Sequence, residues 1–315
     1  MATFLHNACL PLLLRSQNSD GGWAYRPGRT SRVEPTSWAL LALAGCTDTD
    51  GVALAVQTGE RWLLACQAAD GSWPAGPPDG TGGGWVTSLA CLYLASQCDA
   101  GDPLHRGLQW LSQAWPADFG WRWRTRRWIF GLRNEIPVQH DPSVCGWSWN
   151  VGTASWVEPT SYALLALQCA PQKLLPRLAA RRCELGIRFL LDRACEVGGW
   201  NCGDPAVYGI PGEPQVVQTA WALLALRRET PDAKISRSLA WLEQALPTLK
   251  SPASLAVGHL CLAAREIRLP PLAASLEEFF ARSRFFDNVV DVAWSALALS
   301  PLPRWLKTPE PAEAR

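Results

Sequence analysis

The sequence predicts an all-α fold, an (α/α)6 barrel (toroid) of six helix pairs. A decapeptide at 34–43, EPTSWALLAL, returns at 158–167 as EPTSYALLAL, and looser copies follow at 218–226 and 291–299. Internal repeats spaced tens of residues apart are typical of solenoids and closed arrays. Helices that are apolar nearly all round alternate with amphipathic ones, and a helix without a polar face is buried on every side. Six of each kind predict two concentric rings, with the apolar helices inside.

The amphipathic helices of the predicted outer ring end at breaks, most of which contain glycine. Glycine suits such a stop because it adopts a positive φ after the last helical turn without strain. Three breaks carry a tryptophan directly after Gly-Gly or Gly-Ser, and we expect these residues, Trp23, Trp73 and Trp200, to pack between repeats. The outer helices are predicted at 7–16, 59–66, 104–114, 185–195, 234–246 and 276–284.

The apolar helices of the predicted inner ring follow these breaks. They carry the segments ALLALAG, SLACLYLA, ALLALQCA, ALLALRR, SLAVGHLCLAA and SALALS. The spacing between copies varies, so we expect the insertions in loops at one rim. The last two repeats lack good Gly-Trp elements, as terminal repeats often do.

The longest insertion covers residues 115–156 and is rich in tryptophan and arginine. Trp and Arg alternate over 121–128, which fits a strand with Trp on one face and Arg on the other. Residues 147–149, Trp-Ser-Trp, are a candidate partner strand. Loops of this length are functional or disordered, and the Trp content argues against disorder. We predict a single domain over 1–303 and a frayed tail over 304–315.

Composition excludes several classes of protein. Of 315 residues, 48% are hydrophobic and 18% charged, which allows a large core, and the net charge of +1 gives no global attraction to nucleic acid. Eleven cysteines without a CxxC motif indicate free thiols in a reducing compartment. No apolar run reaches the ~18 residues of a membrane span, and the first residues lack the features of a signal peptide. We therefore expect a cytoplasmic protein, with peripheral membrane contact and oligomeric state left open.

The breaks at 17–23 (Gln…Asp-Gly-Gly-Trp) and 67–73 (Gln…Asp-Gly-Ser-Trp) resemble the QW motifs of squalene–hopene and oxidosqualene cyclases. The segment 218–224, QTAWALL, is similar to the inner-helix repeats of that family. Protein prenyltransferase β subunits, the β domain of class II terpene cyclases and complement thioester domains share the repeat. The resemblance covers about residues 7–300 and implies the terpenoid cyclase α/α-toroid superfamily. It implies the fold more directly than an activity, because one fold hosts many chemistries.

The resemblance also implies roles for individual residues. Class II cyclases carry a DxDD motif before Thr-Ala, and its middle Asp protonates the substrate. On this sequence the middle position falls on Glu34 and Glu158, two residues before Thr36 and Thr160, and no carboxylate flanks either glutamate. Prenyltransferases bind zinc through Asp-x-Cys and a distant His, but Val and Ala follow Asp291 and no His lies downstream. Because the thioester and DDxxD motifs are also absent, we expect no metal and no cofactor.

Glu34 and Glu158 have two interpretations. In the first, an apolar cavity raises the pKa of one carboxyl, which stays protonated and acts as a general acid on an alkene. In the second, proline occupies the first helical position and the glutamate beside it only interacts with the helix dipole. The identical duplication favours the second interpretation, since catalysis rarely needs two copies.

Two further sets of residues are candidates for substrate binding. Aromatic residues on the first turns of the inner helices could line a cavity and stabilise carbocations through cation–π contacts, or could simply pack the core. Arginines of the insertion could clamp a diphosphate or a lipid headgroup, or could form a solvated strand face. The aromatic set is Trp38, Tyr162, Trp221 and Trp294, and the arginine set is Arg122, Arg124, Arg126 and Arg127. Arg26, Arg29 and Arg32, beside Glu34, are a second arginine set at the rim.

Three other polar residues have simpler interpretations. Gln218 and Asp291 are expected to cap their helices, and His259 is expected to be a core histidine.

The leading hypothesis is a cyclase-like enzyme that binds an apolar isoprenoid, with or without a diphosphate, and begins with proton transfer from Glu34 or Glu158. The alternatives are a non-catalytic isoprenoid or lipid carrier and a partner-binding barrel. Protein prenyltransferase activity is disfavoured by the missing zinc ligands.

Overall fold

The computed structural model describes residues 4–76, 82–97, 101–132, 141–230, 232–267 and 272–307, without the side chains of residues 124, 126, 127 and 130–132. The described chain is mostly helical, as predicted. In chain order the α-helices are α1 (Leu10–Arg15, preceded by a π-turn, Leu5–Cys9), α2 (Val33–Leu43), α3 (Val52–Ala65), α4 (Gly84–Ser96), α5 (Gly101–Gln113), α6 (Trp121–Leu132), α7 (Val157–Cys169), α8 (Ala179–Asp192), α9 (Val216–Ala225), α10 (Ala233–Ala245), α11 (Pro252–Ala263), α12 (Leu272–Ser283) and α13 (Val289–Leu299). Strands β1 (Ala206–Val207) and β2 (Ile210–Pro211) form an antiparallel hairpin. Short 3-10 turns lie at Gln172–Leu174, Leu246–Thr248, Arg284–Asp287 and Arg304–Leu306.

Six of these helices are buried and contact one another in a cycle. Helix α2 packs against α4, α4 against α7, α7 against α9, α9 against α11, α11 against α13, and α13 against α2. Each buried helix also carries a more exposed helix on its outside: α3 on α2, α5 on α4, α8 on α7, α10 on α9, α12 on α11, and α1 on α13. The described helices therefore alternate between buried and more exposed positions, except that α6 lies between α5 and α7 and interrupts the alternation.

The tryptophans in the breaks join three elements of each repeat. The backbone N–H of Trp23 donates to Oγ1 of Thr36 at 2.8 Å, and its indole N–H donates to the carbonyl of Leu13 at 2.7 Å. The outer helix, the break and the next buried helix are thus hydrogen-bonded together. The same pair of bonds recurs at Trp73 with Thr87 and Leu63, at Trp147 with Thr160 and Leu111, and at Trp200 with Thr219 and Leu190. All four tryptophans are buried, and for Trp23, Trp73 and Trp200 this agrees with the predicted packing role.

In two of the breaks, a glutamine links neighbouring repeats. The side-chain amide of Gln17 donates to the carbonyl of Ala55 on α3 at 2.9 Å and to its own break at Gly21. Gln67 repeats this pattern one unit later, with the carbonyl of Pro103 on α5. A half-buried amide that donates to two carbonyls fixes the position of the next outer helix.

The structure corrects the prediction for the insertion. Residues 121–128 belong to helix α6 and are not a strand, and Trp147 bridges Trp156 instead of the Trp/Arg segment. An isolated segment without a neighbouring strand satisfies its backbone hydrogen bonds only as a helix. Arginine, which supplies much of this segment, is also a good helix former.

The carboxyl-terminal segment also differs from its prediction. Residues expected to fray from 304 onward instead form the turn Arg304–Leu306, whose Trp305 and Leu306 are buried. The guanidinium of Arg227 donates to the carbonyl of Trp305 at 2.9 Å, and the turn also packs on α4. Residues 308–315 lie outside the described part of the chain. The turn covers the end of the structure at which the buried helices finish.

The described cysteines and helices add two plain observations. The ten described cysteines are all unpaired thiols. Over the described ranges, every helix is too short or too polar to cross a bilayer.

Candidate active site at the amino-terminal end of the buried helices

The candidate site lies at the end where the buried helices begin, which we call the mouth. Glu158 is the second residue of α7, and its carboxylate accepts hydrogen bonds from the Tyr162 hydroxyl at 2.6 Å and the Gln218 amide of α9 at 3.1 Å. Burial raises the pKa of the Glu158 carboxyl, partly opposed by the Tyr162 hydrogen bond, and the charge of Glu34 raises it further. Glu158 therefore holds a proton more tightly than an exposed glutamate does.

Glu34 occupies the equivalent position on α2 but has different neighbours. Its Oε2 atom accepts a short hydrogen bond from the Tyr25 hydroxyl and a second, of 3.0 Å, from the Trp85 indole. Burial, followed by the charge of Glu34, raises the pKa of Tyr25, so this hydroxyl stays a donor. Both neighbours of Glu34 therefore donate to the same carboxylate oxygen.

A third carboxyl lies at the same end of the structure. Asp291 is the third residue of α13, and burial raises its pKa to about 6. The prediction that Asp291 and Gln218 cap their helices is wrong, because the cap positions belong to Asn288 and Gln215. The side chain of Gln218 binds Glu158 instead.

The four predicted aromatic residues meet one helical turn below these carboxyls. Trp38, Tyr162, Trp221 and Trp294, which we call the aromatic cluster, are each the sixth residue of a buried helix. Ring centroids lie 5.0 Å apart for Trp38 and Trp221, 5.3 Å for Tyr162 and Trp221, and 5.7 Å for Trp221 and Trp294. The rings are buried and pack mainly edge to face, so core packing describes their contacts in this structure.

The indole groups of the aromatic cluster share an unusual feature. The Nε1 atoms of Trp38, Trp221 and Trp294 are buried and have no acceptor among the described residues. In contrast, the indole of Trp23 in the break donates to a backbone carbonyl. Three such unmet donors are costly in a pure packing core, where buried polar groups are nearly always paired.

Of the predicted arginines of the insertion, Arg122 is the one whose side chain the structure describes. Arg122 is exposed on α6 with its guanidinium 5.4 Å from the ring centre of Trp121, and it has no hydrogen bond or ion pair to a described glutamate. The side chains of Arg124, Arg126 and Arg127 are outside the described residues. The structure therefore does not place Arg122 in the carboxyl site.

The second arginine set does lie beside the site. Arg26, Arg29 and Arg32 line an open cleft of about 320 Å³ together with Tyr25 and Thr30. Within the described residues no carboxylate forms an ion pair with these arginines. Because Tyr25 also binds Glu34, the cleft adjoins the carboxyl site. Its three positive charges suit an anionic group.

Sequence reasoning missed three contributors to the site. Tyr25 and Trp85 were assigned no role, and Gln218 was interpreted as a cap; all three donate a hydrogen bond to Glu34 or Glu158. Their contacts span up to 60 residues of sequence, so no local pattern carried the signal.

Burial lowers the pKa of His259, as expected for a core histidine. In the described parts of the chain, no three His, Cys, Asp or Glu side chains converge as a metal site would require.

The cycle of buried helices, each with an outer helix, places the protein among helical folds of the α/α-toroid type. Cellobiose 2-epimerase from Spirochaeta thermophila is a similar solved structure, with a TM-score of 0.60, 13% identity, and coverage of 97% of this chain and 95% of that one. Type II terpene cyclase MstE from Scytonema has a TM-score of 0.51 and 18% identity, with coverage of 90% and 79% respectively. At these identities the likeness shows the fold alone.

One curated relative is similar in sequence to 69% of this chain. Drimenyl diphosphate synthase from Streptantibioticus cattleyicolor is 27% identical over 220 residues, which is 69% of this chain and 35% of the relative. The chain thus spans about a third of the length of this relative. No protein-family profile matches the chain. Together with MstE, this relative supports a terpene cyclase-like fold.

Proposed function

We propose that the protein is an (α/α)6 toroid of six helix pairs that catalyses proton-initiated, class II-like cyclisation of a prenyl diphosphate. The observation that carries the proposal is Glu158, a half-buried carboxyl whose pKa is raised by burial, held at the mouth above the aromatic cluster. The similarity to drimenyl diphosphate synthase supports the same class of substrate. Similarity of fold to both an epimerase and a cyclase does not by itself distinguish between their two reactions.

Glu158 would act as the general acid. Its proton would move to one carbon of the terminal double bond, whose π electrons form the new C–H bond and leave a carbocation on the other carbon. The π electrons of the next double bond would then close a ring, and loss of a proton from the final cation would restore a double bond. The Tyr162 and Gln218 hydrogen bonds hold the carboxyl in place during this transfer.

The aromatic cluster would form the floor of the site. Its members sit four residues along their helices from the Glu158 position, a distance of about 6 Å at 1.5 Å per residue. Indole and phenol ring faces stabilise a nearby cation without reacting with it. Trp294, the least buried of the four, offers the most accessible ring to a substrate that enters from the mouth.

The cleft of Arg26, Arg29 and Arg32 would hold the diphosphate. Guanidinium groups bind phosphate oxygens in bidentate fashion, and these three have no ion-pair partner among the described residues. The cleft adjoins Glu34 through Tyr25, so a bound headgroup would leave the isoprenoid chain free to reach the carboxyls.

A product assay tests the proposal. Purified protein would be incubated with C10 to C20 prenyl diphosphates and with squalene, and products analysed by mass spectrometry. We expect cyclic diphosphates from the parent and a loss of at least about a hundredfold in rate for Glu158→Gln, the magnitude typical of removing a general acid. Glu34→Gln and Asp291→Asn are matched carboxyl-to-amide controls. Unchanged substrate with all four proteins would overturn the proposal, and selective loss in Asp291→Asn would reassign the acid.

A second candidate function is non-catalytic binding of an isoprenoid or a partner. The mutual packing of the aromatic cluster favours it, because rings that fill the centre leave less room for a folded substrate chain. In the same assay, prenyl diphosphate retained by the protein but recovered unchanged would support a carrier. Neither retention nor turnover would support partner binding.

A further inference from the structure

Exposed apolar side chains are concentrated at one end of the molecule. Among the described residues, twelve of the fourteen large apolar side chains that are exposed lie in segments leading from an outer helix into a buried one. These segments form the rim of the mouth. The two exceptions are Leu54 on α3 and Leu178 before α8. The twelve are Tyr25, Trp115, Trp121, Trp128, Ile129, Val151, Trp156, Val197, Val207, Tyr208, Ile210 and Phe286.

Helix α6 is the largest element of this rim. Its Trp121 is 73% exposed and its Trp128 66% exposed, and these residues, seven positions apart, lie on one face of the helix with the exposed Ile129 beside them. The helix has no extensive packing contact with another described element. An isolated helix of about 12 residues is marginal in water, so α6 lacks a covering surface.

The charge of α6 has a single sign. Residues 121–132 contain four arginines and no Asp or Glu. The described arginine, Arg122, is exposed and stacks on the Trp121 ring. A helix that combines exposed tryptophan with arginine alone fits the boundary of an anionic lipid surface, where indole rings lie at headgroup level and arginines meet phosphates.

The hairpin β1–β2 forms a second apolar projection on the same rim. Tyr208 at its tip is 76% exposed and Ile210 is 71% exposed. The hairpin leads into α9 and α6 lies in the segment that leads into α7, and these two buried helices are neighbours. Trp156, which is also exposed, comes directly before the first residue of α7. Two projections on adjacent segments can contact one flat surface together.

We infer that the rim of the mouth, through α6 and the β1–β2 hairpin, binds the surface of a membrane rich in anionic phospholipid. Insertion of the exposed indole, phenol and aliphatic groups supplies the apolar contribution, and the arginines of α6 supply the electrostatic one. Neither requires a membrane-spanning helix. If the proposed cyclase function holds, this orientation presents the mouth to the acyl chains in which an isoprenoid dissolves.

Vesicle flotation tests the inference without any isoprenoid, so its outcome is independent of catalysis. The probes are vesicles of phosphatidylcholine alone and of phosphatidylcholine mixed with phosphatidylglycerol. We expect the parent protein to float with the mixed vesicles at least about tenfold better than with the neutral ones, and less at high salt. Binding to neither vesicle, or equally to both, would overturn the inference.

Two double variants locate the surface. Trp121→Ala/Trp128→Ala and Tyr208→Ala/Ile210→Ala each remove exposed apolar groups and should lower binding to the mixed vesicles about tenfold or more. Leu54→Ala/Leu178→Ala removes exposed apolar groups away from the rim and should leave it unchanged. Circular dichroism checks that all three remain folded. Equal loss in the control would overturn the inference, as would a concentration-dependent dimer that the tryptophan variant abolishes without any lipid binding.

Discussion

Glu34 and Glu158 show how one side chain changes the role of a repeated residue. Their decapeptides differ only at Trp38 and Tyr162, four residues after each glutamate. Positions four apart share a helix face, so the Tyr162 hydroxyl reaches Glu158 in its own helix, whereas an indole at Trp38 makes no such bond. The duplication suggested two equivalent helix ends, but this single difference and the long-range Gln218 contact separate them.

Asp291 gives a prediction about pH. Burial raises its pKa to about 6, above the unfolded value of about 3.9. Between these values the folded state binds more protons, so the charged carboxylate lowers the free energy of unfolding as pH rises from about 4 to about 6. We expect Asp291→Asn to be more stable than the parent at pH 7 and to lose that advantage near pH 4. Urea unfolding at both pH values measures the difference, and a difference independent of pH would contradict the burial of this carboxyl.

At the scale of single elements, the most regular feature of the repeats is the hydrogen bond between a tryptophan of the break and a threonine, which we call the Trp–Thr link. Four tryptophans each donate a backbone N–H to a threonine hydroxyl on the next buried helix and an indole N–H to the preceding outer helix. The sequence allowed the packing role of Trp23, Trp73 and Trp200 to be predicted from their place after glycine. It did not reveal the threonine partner, because the bond spans a break of variable length.

The link at Thr160 can be tested by substitution. Its Oγ1 accepts the Trp147 N–H at 2.8 Å and donates to the carbonyl of Trp156 at 2.6 Å. Thr160→Val keeps the shape but leaves the buried N–H without an acceptor, and we expect the free energy of unfolding to fall by about 1–3 kcal/mol. Thr160→Ser keeps the hydroxyl and is the matched control, with a smaller loss. If urea unfolding gave the two variants equal stability, the hydrogen bond would not stabilise the repeat.

The sequence predicted buried elements better than exposed ones. Apolar periodicity located the six buried helices because burial constrains every residue on them. Helix α6 has no such constraint, so its Trp–Arg alternation had the period of a strand although the backbone is helical. Arg182 was missed for a related reason. It is fully buried between Trp115 and Trp147 and donates to two backbone carbonyls, and no one-dimensional pattern distinguishes it from a solvated arginine.

At the scale of the whole molecule, closure of the helix cycle distinguishes this fold from an open solenoid. In an open array each repeat contacts only its neighbours, and terminal repeats can unfold separately. Here α13, the last buried helix, packs on α2, the first, and also on α1. The turn at Arg304–Leu306 adds a bridge across the far end, since it contacts both α4 and Arg227 behind α9. The first and the last described elements therefore both pack on the same cycle of helices.

This closure predicts cooperative unfolding in which a change at the carboxyl-terminal turn weakens the whole ring. Trp305→Ala removes a buried indole, and we expect a loss of about 3–5 kcal/mol in the free energy of unfolding. Because the ring is continuous, circular dichroism and tryptophan fluorescence should give one coincident urea transition for parent and variant, shifted to lower urea in the variant. Leu178→Ala, at an exposed position, is the control that should leave the midpoint in place. An early separate transition in Trp305→Ala would mean that the terminal turn unfolds alone and that the ring does not couple the two ends.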